Sequence, residues 1–186
     1  MVVKKLIGTN VFLGPVEKKY IPTLVKWMND VKVVKFTNQV TKKHTEETSK
    51  AYLKKALEDS NFHYYGIFTK DENLIGGISL DNVNYTNRTA TLGITIGEKQ
   101  EWGKGYGTEA VALMLDYGFF ILNLNNIMLT VFDYNLRAKR CYEKVGFKIM
   151  GKRRKARFFA GKYHDEIYMD ILAEEFKNSK IRKLLK

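Results

Sequence analysis

Apolar positions along this chain recur in two periods, and the switches between them lay out its elements. Val3–Leu13 alternates loosely and predicts a first strand, ending at Gly14-Pro15. Val16–Asn29 spaces Val16, Tyr20, Leu24, Trp27 and Met28 by three and four, which predicts an amphipathic helix with a break or short first turn at Pro22. Thr45 is placed to cap a second helix through Asp59, with Tyr52, Leu53, Ala56 and Leu57 on one face. His44, just outside it, reads as a surface residue. Period two returns in Phe62–Thr69, Leu74–Asn82 and Ala90–Gly97, whose short links predict an antiparallel meander. Gly93 inside the last of these predicts a bulge or a close approach.

Helical spacing resumes with Tyr106–Leu122, apolar nearly all round, with Glu109 and Asp116 marking one narrow polar face. Such a helix belongs mostly in the core. Ile127–Phe132 predicts a strand that must cross back over this helix and lie parallel to Ala90–Gly97. Asn135–Lys144 predicts a shorter helix, stopped by Gly146. Phe147–Phe159 and Tyr163–Leu172 predict two closing strands around Gly161, and Glu174–Lys186 a basic, partly helical tail that reads as detachable.

Composition narrows the class without naming a chemistry. At 186 residues, 45% hydrophobic and 28% charged, the chain reads as one soluble globular domain over 1–175 with a basic tail at 176–186. No segment resembles a signal peptide or is long enough to span a bilayer, so a cytoplasmic location without a membrane partner is expected. The single Cys141 excludes an internal disulfide, and the scattered His44, His63 and His164 give no metal site. Charge changes the picture more. The formal net charge is +12, and between residues 137 and 162 eleven Lys or Arg face a single acid, Glu143. A local basic face of this kind suits an anionic partner: a phosphorylated cofactor, a ribosome or other RNA, or an acidic protein. A polyphosphate cofactor would use only two or three of those charges.

The place for such a cofactor is Gln100–Thr108, reading Gln-Glu-Trp-Gly-Lys-Gly-Tyr-Gly-Thr between a strand and a helix. Glycines let backbone N–H groups turn inward, and a helix N-terminus adds unsatisfied donors and partial positive charge. Together they make an anion site, most naturally for a pyrophosphate. Lys104 is followed by Gly105, so this is no P-loop, and Asn125-Asn126 stand where a dinucleotide fold places its acidic residue.

Two stretches resemble the GNAT superfamily of acetyl-CoA-dependent N-acetyltransferases. One is Gln100-x-x-Gly103-x-Gly105; the other is Asn135-x-x-Ala138 followed by Tyr142-Glu143-Lys144-Val145-Gly146-Phe147. Trp27-Met28-Asn29-Asp30 and Phe158-Phe159-Ala160-Gly161-Lys162-Tyr163 are similar to the ribosomal-protein (Rim-type) N-acetyltransferase branch, the latter also to bacterial spermidine N-acetyltransferases. The resemblance implies an α/β (α+β) fold with a mixed, mostly antiparallel sheet of about seven strands flanked by about four helices. It implies acetyl-CoA as co-substrate, with Gln100 and the Trp102, Gly103, Lys104, Gly105, Tyr106, Gly107 and Thr108 segment at its pyrophosphate. A splay between Ala90–Gly97 and Ile127–Phe132 would admit the pantetheine arm, and an N–H near Thr95 or Ile96 would polarise the acetyl carbonyl. Asn135 would bond the pantetheine, cap its helix, or both. Tyr142 would be the general acid for the leaving thiolate, while Cys141, one helical step away, reads as a packed thiol.

No residue type singles out the base. Asp81, Glu98 and Asp133, at strand ends, are the candidates. A primary amine acceptor follows from the family, with a protein or peptide α-amine as first expectation and a polyamine as the alternative. For a trication, Glu46-Glu47 and Glu58-Asp59 would have to form an acidic pocket against the net positive charge. A homodimer is compatible with the family. A reading of another class is a ribosome- or RNA-binding module, using the basic face with Phe158, Phe159 and Tyr163, or an acetyl-CoA sensor without turnover.

Overall fold

The computed structural model describes residues 2–177, 179 and 181. Eight strands form one sheet: β1 (Leu6–Ile7), β2 (Val11–Gly14), β3 (His63–Thr69), β4 (Leu74–Asn84), β5 (Thr89–Ile96), β6 (Asn126–Phe132), β7 (Lys148–Phe159) and β8 (Lys162–Leu172). Their order is β1-β2-β3-β4-β5-β6-β8-β7, and every neighbouring pair is antiparallel except β5–β6. The helices are α1 (Ile21–Met28), α2 (Val31–Val34), α3 (Glu46–Glu58), α4 (Tyr106–Phe120) and α5 (Leu136–Val145). This is the expected α+β sheet, with one strand more because the Val3–Leu13 stretch is a hairpin rather than a single strand.

Local chemistry explains most element ends. Pro22 sits in the first turn of α1, where it lacks no needed N–H, after a separate 3₁₀ turn at Lys18–Tyr20. Thr45 and Thr48 cap each other's backbone N–H groups at the start of α3, at 2.9 and 3.3 Å. Asn135 caps α5 by accepting from the Ala138 N–H at 3.2 Å, and Gly146 ends that helix at φ 117°.

Each face of the sheet is covered. Period two in β2 sends Val11 and Leu13 to the layer beneath α4, and Phe12 to the layer beneath α1 and α3. The α4 layer is the larger, with Ala110, Val111, Met114 and Leu115 fully buried against Leu80, Ile127 and Leu129. The second layer gathers Ile21, Leu24, Trp27, Leu53, Phe68 and Leu74.

Two expectations need correction. The polar face of α4 is not open to water. The Glu109 carboxylate accepts the Thr9 and Asn10 N–H groups, which fixes the β1–β2 turn, and Asp116 is 3% exposed, accepting from the Ser179 hydroxyl and the Ile181 N–H. Nor is the chain beyond 175 detached where it is described: Phe176 is buried against Phe119 and Phe120. Residues 178, 180 and 182–186 of the expected basic tail lie outside the described residues.

Candidate active site

The cleft begins where β5 and β6 part. Their parallel pairing runs only through Thr89–Asn126, Ala90–Ile127 and Thr91–Met128. Beyond that β5 continues to Ile96 bonded to β4, and β6 continues to Phe132 bonded to β8. Alternate backbone groups along Leu92–Ile96 therefore face a gap rather than a partner strand. The gap widens into a cleft of about 1130 Å³.

At one end of the cleft stands the glycine turn. Gly103 and Gly105 have φ values of 83° and 85°, and Gly105 is the residue that starts α4. A side chain costs about 1–2 kcal/mol in that left-handed region. A Cβ at either position would meet nothing within 4 Å, so these glycines are demanded by the backbone and leave open space before the α4 N-terminus. The only acidic residue in the first turn of α4, Glu109, is held by the β1–β2 turn. The dipole of a 15-residue helix is thus left to an anion in the cleft. The Trp102 indole is pinned by its Nε1–H to the Ile96 carbonyl at 2.8 Å, and the Arg137 guanidinium lies 4.0 Å above its ring. This arrangement fits a pyrophosphate on backbone amides with an extended amide-bearing arm along β5.

Of the residues expected to hold the coenzyme, Thr95, Ile96, Trp102, Gly103, Gly105, Tyr106, Gly107, Thr108, Asn135 and Tyr142 all line the cleft. Two side chains do not. Gln100 is exposed on a 3₁₀ turn, and Lys104 points to Glu101 at 2.9 Å. Tyr142 is 7% exposed on α5, packed edge-on against Phe147, and its hydroxyl has no hydrogen-bond partner among the described residues. Burial pushes its pKa well up, so the phenol carries a proton at neutral pH. Cys141 accepts from the Thr108 hydroxyl at 3.3 Å, and burial pushes its thiol up as well, the wrong direction for a nucleophile.

The other half of the cleft is assembled from α1, α3, the 35–48 segment and the inner strands. Its floor carries Tyr52, Tyr64, Ser79 and Asp81. Burial raises the Asp81 pKa, while a hydrogen bond from Ser79 opposes that shift in part. Although the Tyr52 ring is partly exposed, its hydroxyl sits beside Ser79 and Asp81, where burial keeps it protonated. Gly93 pairs with Ser79 in regular register, and the irregularity lies instead between Asp81 and Asn84. A Cβ at Gly93 would stand 3.0 Å from the Ser79 hydroxyl and 3.5 Å from an Asp81 oxygen, so the bare position keeps that carboxyl accessible.

Three further expectations change here. His44, read as surface, is half-buried and lines the cleft wall, its backbone held both ways by the Asn29 side chain at 2.8 and 3.2 Å. Its Nε2 is buried without a partner among the described residues, and burial together with Lys42 lowers its pKa. Of the candidate bases only Asp81 lines the cleft; Glu98 does not, and Asp133 accepts from His164 Nδ1 and the Asp165 N–H at 3.1 and 3.0 Å. Nor do Glu46, Glu47, Glu58 and Asp59 make an acidic pocket. None lines the cleft, and Glu46, Glu58 and Asp59 pair with Lys50, Lys54 and Lys55 on the outside of α3.

Other wall residues carry no motif in the sequence. The 35–39 segment is held by the Tyr134 hydroxyl on the Lys35 carbonyl (2.6 Å) and by Arg157 Nη1 on the Thr37 carbonyl (2.7 Å). That places Phe36 against Trp102 and Tyr134 across the cleft mouth. Only long-range packing brings these together. Among the described residues, no group of His, Cys, Asp and Glu could hold a metal ion, and no helix is long and apolar enough to cross a membrane.

Comparison with known proteins agrees with this geometry. Residues 10–148 match the model of the acetyltransferase (GNAT) domain. The spermidine N(1)-acetyltransferase of Vibrio cholerae is 34% identical over 124 residues, 67% of this chain and 71% of that protein. That of Escherichia coli K12 is 28% identical over 167 residues, 90% and 88% of the two chains. The crystal structure of the Vibrio cholerae spermidine N-acetyltransferase in complex with CoA and spermine superposes with a TM-score of 0.82 at 26% identity, covering 92% of this chain and all of that one. A cleft between diverging strands, a left-handed glycine turn at a helix N-terminus and a family match over most of the chain lead to one conclusion: this protein belongs to the GNAT family and is an acyltransferase, an acetyl-CoA-dependent N-acetyltransferase.

Proposed function

We propose that the acceptor is a primary amine of a polyamine of the spermidine class, acetylated directly from acetyl-CoA in this cleft. The observation that carries the reading is Asp81. Among the described cleft-lining residues the carboxyls are Asp81 and Glu101, and Glu101 is taken by Lys104. Asp81 is thus the one carboxylate free to receive an ammonium group, and it lies on the floor of the acceptor half. The spermidine enzymes among its relatives support the polyamine over the peptide α-amine that motif resemblance first suggested.

The chemistry follows from the residues in place. Acetyl-CoA supplies an activated thioester carbonyl. A primary aliphatic amine near pKa 10.4 costs about 4.6 kcal/mol to deprotonate at pH 7, so a base beside it contributes substantially. Asp81 orients the ammonium through a charge-assisted hydrogen bond and takes its proton, helped by a pKa raised through burial. Backbone N–H groups in the Thr95–Ile96 segment polarise the carbonyl along the open edge of β5. Tyr142, kept protonated by burial, gives its proton to the departing thiolate.

The test is a product analysis. The protein is incubated with acetyl-CoA and an equimolar mixture of spermidine, an α-amino peptide and an Nα-blocked lysine peptide, and acetylated masses are counted. Acetylspermidine as the dominant product supports the reading. Dominant acetylation of the α-amino peptide would replace it with the peptide acceptor, and no acetylated amine would remove both.

A further inference from the structure

The glycine turn accounts for a pyrophosphate but leaves three cations on α5 without work. Arg137, Arg140 and Lys144 are three and four residues apart, so they fall on one helical face, and all three line the cleft. Their neighbours are neutralised: Lys139 by Glu143 at 3.7 Å, Lys104 by Glu101, and Lys152 by Asp165 at 3.0 Å. Arg137, Arg140 and Lys144 have no carboxylate partner among the described residues. The stripe is also held in position. Arg137 is stacked 4.0 Å over Trp102 and 5.8 Å from Phe36, and α5 is tied to the α4 N-terminus through the Thr108–Cys141 hydrogen bond.

An anion held by the α4 amides would sit at the Trp102 end of this stripe. Arg140 and Lys144 continue it along the cleft wall by up to two helical turns, roughly 10 Å. Coenzyme A carries a second anionic group some distance from its pyrophosphate, the ribose 3′-phosphate, a dianion that suits two adjacent cations. We infer that Arg140 and Lys144, aligned by the stacked Arg137, form a binding site for the 3′-phosphate of coenzyme A, so that this enzyme discriminates coenzyme A from dephospho-coenzyme A. The inference rests on the acetyl-CoA reading of the cleft and extends it from the donor's reactive end to its nucleotide end. It also gives a use to part of the basic stretch that pyrophosphate binding leaves idle.

Calorimetric titration of the full chain with coenzyme A, dephospho-coenzyme A and adenosine 3′,5′-bisphosphate tests it, on the native protein and on R140Q/K144Q. The native protein is expected to bind coenzyme A at least tenfold more tightly than dephospho-coenzyme A, and to bind the bisphosphate measurably. In R140Q/K144Q that gap should close to within about twofold while affinity for dephospho-coenzyme A stays unchanged, which also shows that the variant is folded. In steady state its KM for acetyl-CoA should rise about tenfold with kcat kept. Equal affinity of the native protein for the two coenzymes overturns the inference, and so does a gap that survives in the variant. If the native protein binds neither, the acetyl-CoA reading itself fails, a result distinct from loss of the 3′-phosphate preference alone.

Discussion

The two halves of the cleft are built in different ways. The half with the glycine turn is built largely from one run of sequence, the end of β5, the turn and the start of α4, joined by one face of α5, and it offers backbone N–H groups to the cleft. The acceptor half is a convergence of side chains from α1, α3, β3 and β4 with a loop held by residues from the opposite end of the chain. A site made of main-chain N–H groups and left-handed glycines tolerates drift in side chains, whereas one made of side chains, as we propose for Asp81, Ser79, Tyr52 and Tyr64, is expected to alter its substrate when they are exchanged. On this reading the fold sets the donor and the side chains laid on it set the acceptor.

Substitutions at the junction should separate the halves most sharply. Tyr142→Phe removes the proposed proton donor to the thiolate but keeps the buried ring, so kcat should fall by about 10²–10⁴ with the coenzyme A Kd within about twofold of native. Equal loss in both quantities would make Tyr142 a packing residue. Next in size is Asp81→Asn, which keeps shape and removes the proposed base. A fall of about 10–10² in kcat/KM for spermidine is expected, with the KM for acetyl-CoA unchanged and the rate more dependent on high pH. A variant with native kinetics would move the base elsewhere in the cleft. On the coenzyme side, Gly105→Ala places a Cβ at φ 85° and should weaken coenzyme A binding about tenfold while sparing the acceptor KM.

How much of this was legible in the sequence follows the same division. The strand, glycine turn and helix at Ala90–Leu122 announce themselves through local period and punctuation, and the parallel β5–β6 crossover follows from chain length alone. The polar residues on α4 could be read as polar but not as partnered. Glu109 turns out to fix the β1–β2 turn, about 100 residues away, and Asp116 receives the chain at Ser179 and Ile181. His44 looked like surface because nothing nearby signals that the Asn29 side chain holds it in the wall. Long-range pairing of this kind leaves no periodic trace. The α5 cations were visible as charge, yet only the cleft shows which of the eleven face it.

A smaller effect lies outside the cleft. The Tyr85 hydroxyl donates to the Ser60 carbonyl (2.8 Å) and so accepts from His63 Nε2 (3.0 Å), leaving Nδ1 to accept from the Tyr117 hydroxyl at 3.2 Å. The network favours neutral His63, and burial lowers its pKa below the ordinary value near 6.5. The unfolded chain therefore takes up the proton first. This contribution to stability is present above about pH 6.5 and is lost as pH falls from there toward the folded-state pKa. His44 shifts in the same direction. The thermal midpoint should fall between pH 6.5 and 5, with a shallower slope in His63→Gln; an unchanged slope would assign the loss to other groups.

The central claim is that donor and acceptor occupy one cleft together and react without a covalent enzyme intermediate. An initial-rate matrix of acetyl-CoA against spermidine tests it most directly. Intersecting double-reciprocal lines are predicted, as for a complex holding both substrates between Tyr142 and Asp81. Parallel lines would contradict the account, because they mark an acetylated enzyme and would make the Cys141 thiol its first suspect.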